Sequence, residues 1–260
     1  MTSEVDISTA DGVQTIRFNR PEKKNALTAL MYQAIAKALN DGDATPDVVA
    51  HLFIGTDGVF TAGNDIGDFL QYASAGGGLS ESVTQFIRTL PLVKKPMIAA
   101  VEGLAIGVGT TLLFHCDLVY AAPSATLATP FLDLGVVPEA GSTLLGPQRL
   151  GYARAFELLV LGEPLTAERA RDAGLVNAVV PSGDLEETAL KAARTLARKP
   201  PKALAEARRL LRGDPAAVVA RIDAEVEVYA ERLVSAEAKE AFTAFLEKRP
   251  ADFAKLRRPG

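Results

Sequence analysis

The stretch AAVEGLAIGVGTTLLFHCDLVYA, from Ala99 to Ala121, contains the pattern that most directly indicates the fold class. It begins with an apolar run typical of a buried strand, turns at Gly107, and continues as an apolar helix that leads into a second apolar strand. The segment from Met97 to Cys116 is long enough to resemble a membrane span, but Glu102 and its glycines interrupt it. We therefore predict a buried strand followed by a buried helix from Val108 to His115.

The same rhythm of strand, strand and helix recurs on both sides of this stretch. Upstream, the alternating runs EVDIS and VQTIRFN flank Asp11-Gly12, a pair that favours a hairpin turn. A helix follows, because apolar residues recur there at helical spacing, and VVAHLFIG and ATLATP are predicted as further strands. These layers indicate an α/β fold in which β-β-α turns are stacked in a coil. The apolar residues of the first helix are Leu27, Leu30, Met31, Ile35 and Leu39.

The composition changes at about Pro181, beyond which the chain is rich in Ala, Leu, Glu and Arg at helical spacing. We predict a core formed by residues 1–195 and a helical C-terminal region formed by residues 196–260. Amphipathic helices appended to a core often pack against a neighbouring subunit, so we expect an oligomer.

Composition and charge narrow the classes of function. The 260 residues include 48% hydrophobic side chains, which is enough for a large buried core. Lys and Arg number 28 against 32 Asp and Glu, and this net charge of −4 offers no broad positive field for nucleic acid or anionic membranes. Cys116 is the only cysteine, and the first twenty residues lack the apolar core of a signal peptide. We expect a cytoplasmic protein that binds neither nucleic acid nor membrane.

Two glycine turns, Gly63-Asn64-Asp65 and Gly107-Val108-Gly109, are candidates for binding an oxyanion. Glycine allows a ligand to approach the backbone closely and leaves amide hydrogens pointing outward. The second turn opens a helix, whose dipole favours negative charge at that end. Two amides that converge on one carbonyl oxygen would form an oxyanion hole. Each turn taken alone is also compatible with a plain tight turn.

Nucleotide and metal chemistry have little support in the sequence. A dinucleotide-binding fingerprint that starts at Gly107 would need glycine at its sixth position, which is Leu112. The available imidazoles are His51, in an apolar strand, and His115, whose neighbour in the helix is Cys116 but whose side chain points away from it. We predict that all three are core residues and that the protein holds no metal site.

A further stretch, TPFLDLGVVPEAGST, places the acid Glu139 between Pro138 and a small-residue turn. Glutamate directly after proline is what the first turn of a helix prefers, so a structural role is one interpretation. The other is a catalytic acid, because apolar neighbours such as Val136 and Val137 would raise its pKa toward the range that favours proton transfer.

Four segments together resemble the crotonase superfamily of enoyl-CoA hydratases and isomerases. They are FTAGNDIGDF (Phe60 to Phe69), the central stretch, TPFLDLGVVPEAGST and KEAFTAFLEKRPADF. The resemblance spans nearly the whole chain in the expected order. It implies a spiral of β-β-α turns like that of crotonase and ClpP, and a C-terminal helical region that forms a homotrimer or a dimer of trimers. It also implies acyl-CoA thioesters as substrates, with the amides of Asn64 and Val108 polarising the thioester oxygen.

The resemblance also assigns two glutamates to hydratases, and this chain carries Thr111 and Phe131 at those positions. The hydroxyl of Thr111 cannot stay negatively charged as a base near neutral pH, and the phenyl ring of Phe131 has no group that binds a proton, so two-carboxylate activation of water is not expected. The pattern around Glu139 instead resembles peroxisomal-type Δ3,Δ2-enoyl-CoA isomerases, in which this glutamate is the catalytic base. A hydratase that uses Glu139 alone and a non-catalytic acyl-CoA-binding module are the alternatives.

Basic residues must bind the phosphates of coenzyme A, which here is part of the substrate, so no separate cofactor is expected. The resemblance places Lys24 near the nucleotide, Ala26 and Ala62 beside the adenine, and Lys248 near the phosphates. Asp65 is expected to cap the next turn. The candidate substrate-binding residues are Lys24, Ala26, Ala62, Asp65, Ile66, Gly109, Phe131 and Lys248.

Overall fold

The structure is a computed structural model and describes residues 4–65, 67 and 78–257. It opens with an antiparallel hairpin formed by β1 (Val5–Ala10) and β2 (Val13–Phe18). Asp11 and Gly12 turn between the strands with φ of 52° and 78°. This left-handed backbone matches the twist of the hairpin. The predicted hairpin is confirmed.

Two sheets of described residues run through the core. Beyond the hairpin, their strands are β3 (Ala50–Ile54), β4 (Met97–Val101), β5 (Leu104–Ile106), β6 (Leu118–Ala121), β7 (Thr126–Ala128), β8 (Leu165–Thr166) and β9 (Ala178–Val179). The larger sheet has the order β1-β2-β3-β4-β6-β9, and the smaller one has the order β5-β7-β8. From β2 to β9 the neighbouring strands of the larger sheet are parallel, so each connection must cross over the sheet.

Helices fill these connections and form the C-terminal part of the chain. Several begin at a side-chain cap, since Thr28 accepts a hydrogen bond from the amide of Met31, and Ser235 accepts one from Ala238. The α-helices are α1 (Ala29–Ala44), α2 (Glu81–Thr89), α3 (Val108–Thr111), α4 (Ser142–Leu150), α5 (Tyr152–Phe156), α6 (Ala167–Asp172), α7 (Ser182–Ala197), α8 (Pro201–Arg212), α9 (Ala216–Leu233) and α10 (Ala236–Leu246). Shorter helices are the 3₁₀ turns Pro21–Lys23, Leu90–Leu92, Leu112–His115, Leu132–Leu134 and Phe253–Arg257, and the π-helix Glu157–Leu161.

Successive turns of the chain stack on one another. β4 in the larger sheet leads to β5 in the smaller sheet, and the next turn places β6 parallel to β4 and β7 parallel to β5. These two turns each add one strand to each sheet, as in the predicted coil of stacked turns. The central helix follows β5 as α3 and tightens to 3₁₀ geometry at Leu112–His115, and both parts are buried. The predicted buried strand and helix are confirmed.

The helix α1 covers one side of the larger sheet. Met31, Ile35 and Leu39 are spaced four residues apart and are buried in the main core. The expectation that Leu30 shares this face is wrong, because its side chain is 72% exposed. It lies one residue from Met31 and therefore about 100° around the helix from the buried stripe. Leu27 is buried but precedes the helix.

The helix α7 covers the other side of the sheet. Leu185, Ala189 and Ala193 repeat every four residues and pack against strand residues such as Val13 and Ala50. The predicted boundary at residue 195 falls in the last turn of this helix.

The C-terminal helices α9 and α10 pack over the loop that follows β7. A small separate cluster joins them to that loop, and it consists of Phe131, Val136, Tyr229, Leu233, Ala238 and Phe242. The C-terminal region therefore closes one side of the core. In residues 4–65, 67 and 78–257, no helix has both the length and the hydrophobicity that crossing a bilayer requires.

We predict that Leu39→Ala destabilises the protein by about 2 to 5 kcal/mol, because it leaves a cavity under α1 where no solvent enters. The matched variant Leu30→Ala removes the same atoms from an exposed position of the same helix and should change the free energy of unfolding by less than about 0.5 kcal/mol. Urea denaturation followed by circular dichroism measures both values. Equal effects would contradict the assignment of the buried face.

Candidate active site

Two neighbouring chain segments bring the candidate amides of Asn64 and Val108 to one place. Thr61 pairs in parallel with Ala105, with the amide of Thr61 donating to Leu104 O at 2.8 Å and the amide of Ile106 donating to Thr61 O at 3.0 Å. Asn64 and Val108 each follow three residues after this pair on their own segment. Both residues line the same cavity.

The two amides have no acceptor among the described residues. Asn64 forms an isolated parallel bridge with Leu27. The amide of Leu27 donates to Gly63 O, and the amide of Asp65 donates to Leu27 O. The amide of Asn64 takes no part in these bonds and points away from Leu27. The hydroxyl of Tyr32 donates to the side-chain Oδ1 of Asn64 and fixes that residue further. Such free amides are available to a ligand oxygen.

The amide of Val108 is free because it begins a helix. Gly107 turns sharply with φ 56° and ψ −116°, and its carbonyl accepts from the amides of Thr110 and Thr111. The first amides of a helix have no intrahelical partner, and the helix dipole makes this end favourable for negative charge.

Glycine is required where the two segments meet. A Cβ atom at Gly63 would lie 2.8 Å from Ile106 O, and one at Gly109 would lie 2.5 Å from the Cγ2 of Thr61. Both distances are too short for a real contact. The candidate residue Gly109 therefore has a packing role, since it lets α3 approach the 61–64 segment.

The residues predicted to hold the nucleotide are brought beside this pair. The amide of Ala62 donates to Lys24 O at 2.9 Å, which aligns the segment containing Ala26 with the first glycine turn. Asp65 accepts from the amide of Gly67 at 2.8 Å, so its predicted capping role is present. It also forms an ion pair with Arg20 at 2.7 Å, and Arg20 donates to Ala26 O. Lys24 itself is exposed, and Ile66 lies outside the described residues.

Glu139 is not part of a helix. The helix α4 begins at Ser142, so the interpretation of Glu139 as a first-turn residue is wrong. Its side chain is only 3% exposed. The hydroxyl of Thr111 donates to Oε1 at 2.5 Å, and Oε2 has no partner among the described residues. Glu139 therefore presents one bonded and one free oxygen in a buried site.

Burial makes Glu139 a weak acid. Removal from water raises its pKa to about 8, and the negative charge of Glu225 adds to the rise, while the hydrogen bond from Thr111 opposes it. The nearby phenols of Tyr32 and Tyr229 are also buried, and burial together with the charge of Glu139 raises the pKa of each. The carboxyl of Glu139 can therefore both bind and release a proton near neutral pH.

The cavity that holds the two amides has a volume of about 470 Å³ and is mostly apolar. Phe131 lines it from the loop after β7, and Tyr229 and Phe245 line it from α9 and α10. Lys248 is exposed and lies outside this lining, whereas its neighbour Arg249 is part of it. A cavity of this size and character suits an acyl chain.

Sequence reasoning missed two residues of α9 that approach Glu139. Tyr229 lines the cavity, and Glu225 lies one turn earlier on the same helix. Both are buried. In the sequence they belong to a charged amphipathic run, and the only available signal is their spacing of four residues.

The predicted core residues His51, His115 and Cys116 are completely buried. Within the described ranges, no group of three or more His, Cys, Asp or Glu side chains is close enough to hold a metal ion. His115 instead bonds Ala140 O through Nε2 at 2.7 Å, directly after Glu139, and burial lowers its pKa to about 3. It supports the loop as a neutral ring.

Comparison with known proteins identifies the family. The enoyl-CoA hydratase/isomerase family model matches residues 8–256. The chain belongs to this family. As a member of the enoyl-CoA hydratase/isomerase family it is an enzyme, and the resemblance to the crotonase superfamily is confirmed.

Relatives of this family member include both activities. Enoyl-CoA delta isomerase 2 of Rattus norvegicus is 35% identical over 252 residues, which cover 94% of this chain and 63% of the rat protein. The chain thus spans less than two thirds of that relative. The 2,3-dehydroadipyl-CoA hydratase of Escherichia coli K12 is 32% identical over 252 residues, which cover 96% of this chain and 98% of the bacterial protein.

A solved structure supports the same fold. The enoyl-CoA hydratase/isomerase from Pseudoalteromonas atlantica T6c superposes with a TM-score of 0.91 at 38% identity, covering 96% of this chain and 100% of that chain. The predicted α/β fold of the crotonase type is confirmed.

We predict that Gly63→Ala lowers kcat/KM for an enoyl-CoA by about 100-fold, because its methyl group would push the 61–64 segment away from Ile106 O and displace one amide. The control Gly183→Ala adds the same methyl group in α7, where no atom lies within 4 Å. It should retain full activity. Circular dichroism establishes that both variants fold. Full activity of folded Gly63→Ala would show that the close approach is not needed.

Proposed function

We propose that this protein is an enoyl-CoA isomerase that converts a 3-enoyl-CoA thioester to the 2-enoyl isomer. The observation that carries the proposal is the buried acid Glu139, which is bonded to Thr111 of the helix that begins at Val108. Glu139 is buried with one free oxygen, while Thr111 and Phe131 stand where the family resemblance assigns the two glutamates of hydratases. A single buried acid suits a proton transfer that does not consume water.

In the proposed reaction, the Glu139 carboxylate removes a proton from C2 of the thioester. The electron pair of that C–H bond moves toward the carbonyl and gives a dienolate, whose oxygen accepts hydrogen bonds from the amides of Asn64 and Val108. The protonated Glu139 then delivers the same proton to C4, and the double bond moves from C3–C4 to C2–C3. No water and no other reactant enters.

The environment of Glu139 supports both halves of this cycle. A pKa of about 8 lets the same carboxyl accept a proton from carbon and return it, whereas an ordinary carboxylate would be a weaker base. The hydroxyl of Thr111 holds Oε1, which leaves Oε2 as the oxygen that faces the substrate in this proposal.

The acyl-CoA thioester would lie with its nucleotide outside and its acyl chain inside. We assign Lys24 and Lys248 to the phosphates and Ala26 and Ala62 to the adenine. The exposure of both lysines supports contact with a solvated phosphate group. Phe131 then contacts the acyl chain in the apolar cavity. Coenzyme A is part of the substrate, and the proposed reaction needs no further cofactor.

A hydratase that uses Glu139 alone is the second candidate. The observation that favours it is the Escherichia coli hydratase among the relatives, which matches over almost its full length. In that reaction Glu139 would activate a water molecule that adds to C3 of a 2-enoyl-CoA.

We also propose that copies of the chain assemble into trimers or pairs of trimers. The helix α8 presents Leu211, which is 88% exposed, beside the exposed Leu92. Both line a cavity that also contains Arg208, whose buried Nη2 has no acceptor among the described residues. A second copy on this face would cover the leucines.

We predict that Glu139→Gln reduces kcat on a 3-enoyl-CoA by about 10²- to 10⁴-fold, the range that a general base contributes. Glutamine keeps the size of the side chain and resembles its neutral form, so the fold should persist. For the unaltered protein, kcat/KM should rise with pH up to about 8, because the base acts only when ionised. Formation of the conjugated thioester, followed by its absorbance from pH 6 to 10, measures both.

The same assay on a 2-enoyl-CoA separates the candidates. Loss of conjugated absorbance that depends on Glu139 would identify a hydratase, and equal rates of Glu139→Gln and the unaltered protein on the 3-enoyl ester would refute the base. If the protein binds acyl-CoA but acts on neither ester, the proposed isomerase is wrong.

We predict that Leu211→Lys shifts the protein from trimer to monomer in light scattering after size-exclusion chromatography, because it places a charge in an apolar contact. The matched variant Leu30→Lys changes an exposed leucine of α1 and should leave the mass unchanged. A monomer mass for the unaltered protein would contradict the assembly.

A further inference from the structure

Glu225 is a buried carboxylate for which the proposed reaction has no direct use. Glu225 is 5% exposed and lies in the middle of α9. Both of its oxygens are bonded to one short piece of chain. Oε2 accepts from the amide of Gly141 at 2.6 Å, and Oε1 accepts from the amide of Thr143 at 3.0 Å and from its hydroxyl at 2.5 Å.

These donors belong to the start of α4. The helix begins at Ser142 after Gly141, and Gly141 has no side chain that could cap it. The first amides of a helix need an outside acceptor, and the positive end of the helix dipole favours a carboxylate there. Glu225, 84 residues away from Gly141 in the sequence, supplies this cap from another helix.

The turn that Glu225 holds is directly adjacent to Glu139. Ala140 and Gly141 are both left-handed, with φ of 57° and 72°. Alanine adopts this conformation only where the surroundings impose it. His115 Nε2 bonds Ala140 O on one side, and Glu225 bonds the amide of Gly141 on the other. The direction in which the chain leaves Glu139 therefore depends on these two contacts.

The helix α9 also contacts this turn closely. A Cβ atom at Gly141 would lie 2.9 Å from Cγ1 of Val218, two turns before Glu225. Arg221, one turn before Glu225, donates to the hydroxyl of Thr143 at 3.2 Å. Close packing and hydrogen bonds thus combine to fix the turn against one helix of the C-terminal region.

We propose that Glu225 is a positioning residue for the catalytic acid, which it orients by capping α4 and fixing the Ala140-Gly141 turn. This inference rests on the proposed role of Glu139 as the base. It extends the site to the C-terminal region, since the geometry of an acid in the core depends on a carboxylate from α9.

The charge of Glu225 provides a second readout. The titratable groups that face Glu139 are Tyr32 from α1 and Tyr229 and Glu225 from α9, while Arg221 is the cation near Glu225. The negative charge of Glu225 raises the pKa of Glu139, so its removal should lower that pKa. The pH at which activity rises should then move to lower values, which a purely structural defect would not cause.

The experiment compares Glu225→Ala, Glu225→Gln and the matched control Glu227→Gln, an exposed acid on the same helix. With a 3-enoyl-CoA, Glu225→Ala should lose about 100-fold in kcat with KM changed less than about twofold, because the acid is misplaced while substrate binding remains. Glu225→Gln keeps one acceptor oxygen and should lose less. The activity of Glu225→Gln should rise at a lower pH than the activity of Glu227→Gln. The pH profile of Glu227→Gln should match that of the unaltered protein.

Hydrogen–deuterium exchange of the substrate-free proteins tests the positioning separately from the reaction. The amides of Gly141 and Thr143 should exchange at least about 10-fold faster in Glu225→Ala than in Glu227→Gln. If the amides exchange faster in Glu225→Ala but the unaltered protein has no isomerase activity, the capping role of Glu225 is supported and the proposed reaction is refuted. An active enzyme whose Glu225 variants match Glu227→Gln in kcat, pH profile and exchange would refute the positioning role alone.

Discussion

The proposed chemistry requires an acid that is held away from water. Glu139 is buried and receives one hydrogen bond from Thr111, and no cation in the described part of the chain lowers its pKa. Ionising such a group in an apolar site is unfavourable, so its environment keeps it neutral to a higher pH than usual. A structure can maintain this state only if the surrounding elements exclude water from the acid. The packed turns of the coil and the C-terminal helices provide that exclusion.

Most elements that repeat a local pattern could be predicted from the sequence. The hairpin follows from alternation around Asp11-Gly12, and the buried central strands follow from uninterrupted apolar runs. These signals are local, because side-chain spacing and turn chemistry act within a few residues. The same reasoning failed at Leu30, where apolar character suggested burial although the residue lies about 100° around the helix from the buried stripe.

Site residues that belong to a local sequence motif could be predicted. Site residues that only the tertiary structure brings together could not. The glycine turns marked Asn64 and Val108, but the reason that Gly63 must be glycine is the carbonyl of Ile106 on another segment. For Glu139 the residues alone allowed a helix position, and only the start of α4 at Ser142 decided against it. Contacts between residues that are distant in the sequence produce no periodic pattern of hydrophobic residues from which they could be predicted.

The contribution of α9 to the site shows this limit most clearly. Glu225 and Tyr229 resemble the charged and aromatic residues of any amphipathic helix, and nothing in their neighbourhood indicates that they approach Glu139. Their side chains are informative only after the helix has been placed on the loop beyond β7. A buried acid on a terminal helix is therefore a sequence feature whose meaning depends on tertiary structure.

Because the chain is synthesised from its N-terminal end, Glu139 and the helices that bury it are not made at the same time. Glu139 leaves the ribosome well before α9 and α10, which complete the wall around it. While those helices are still in the exit tunnel, the nascent core has its acid open to solvent and the start of α4 without its outside cap. Because domains form from the N-terminal end during translation, the pocket is complete only when α9 and α10 have emerged.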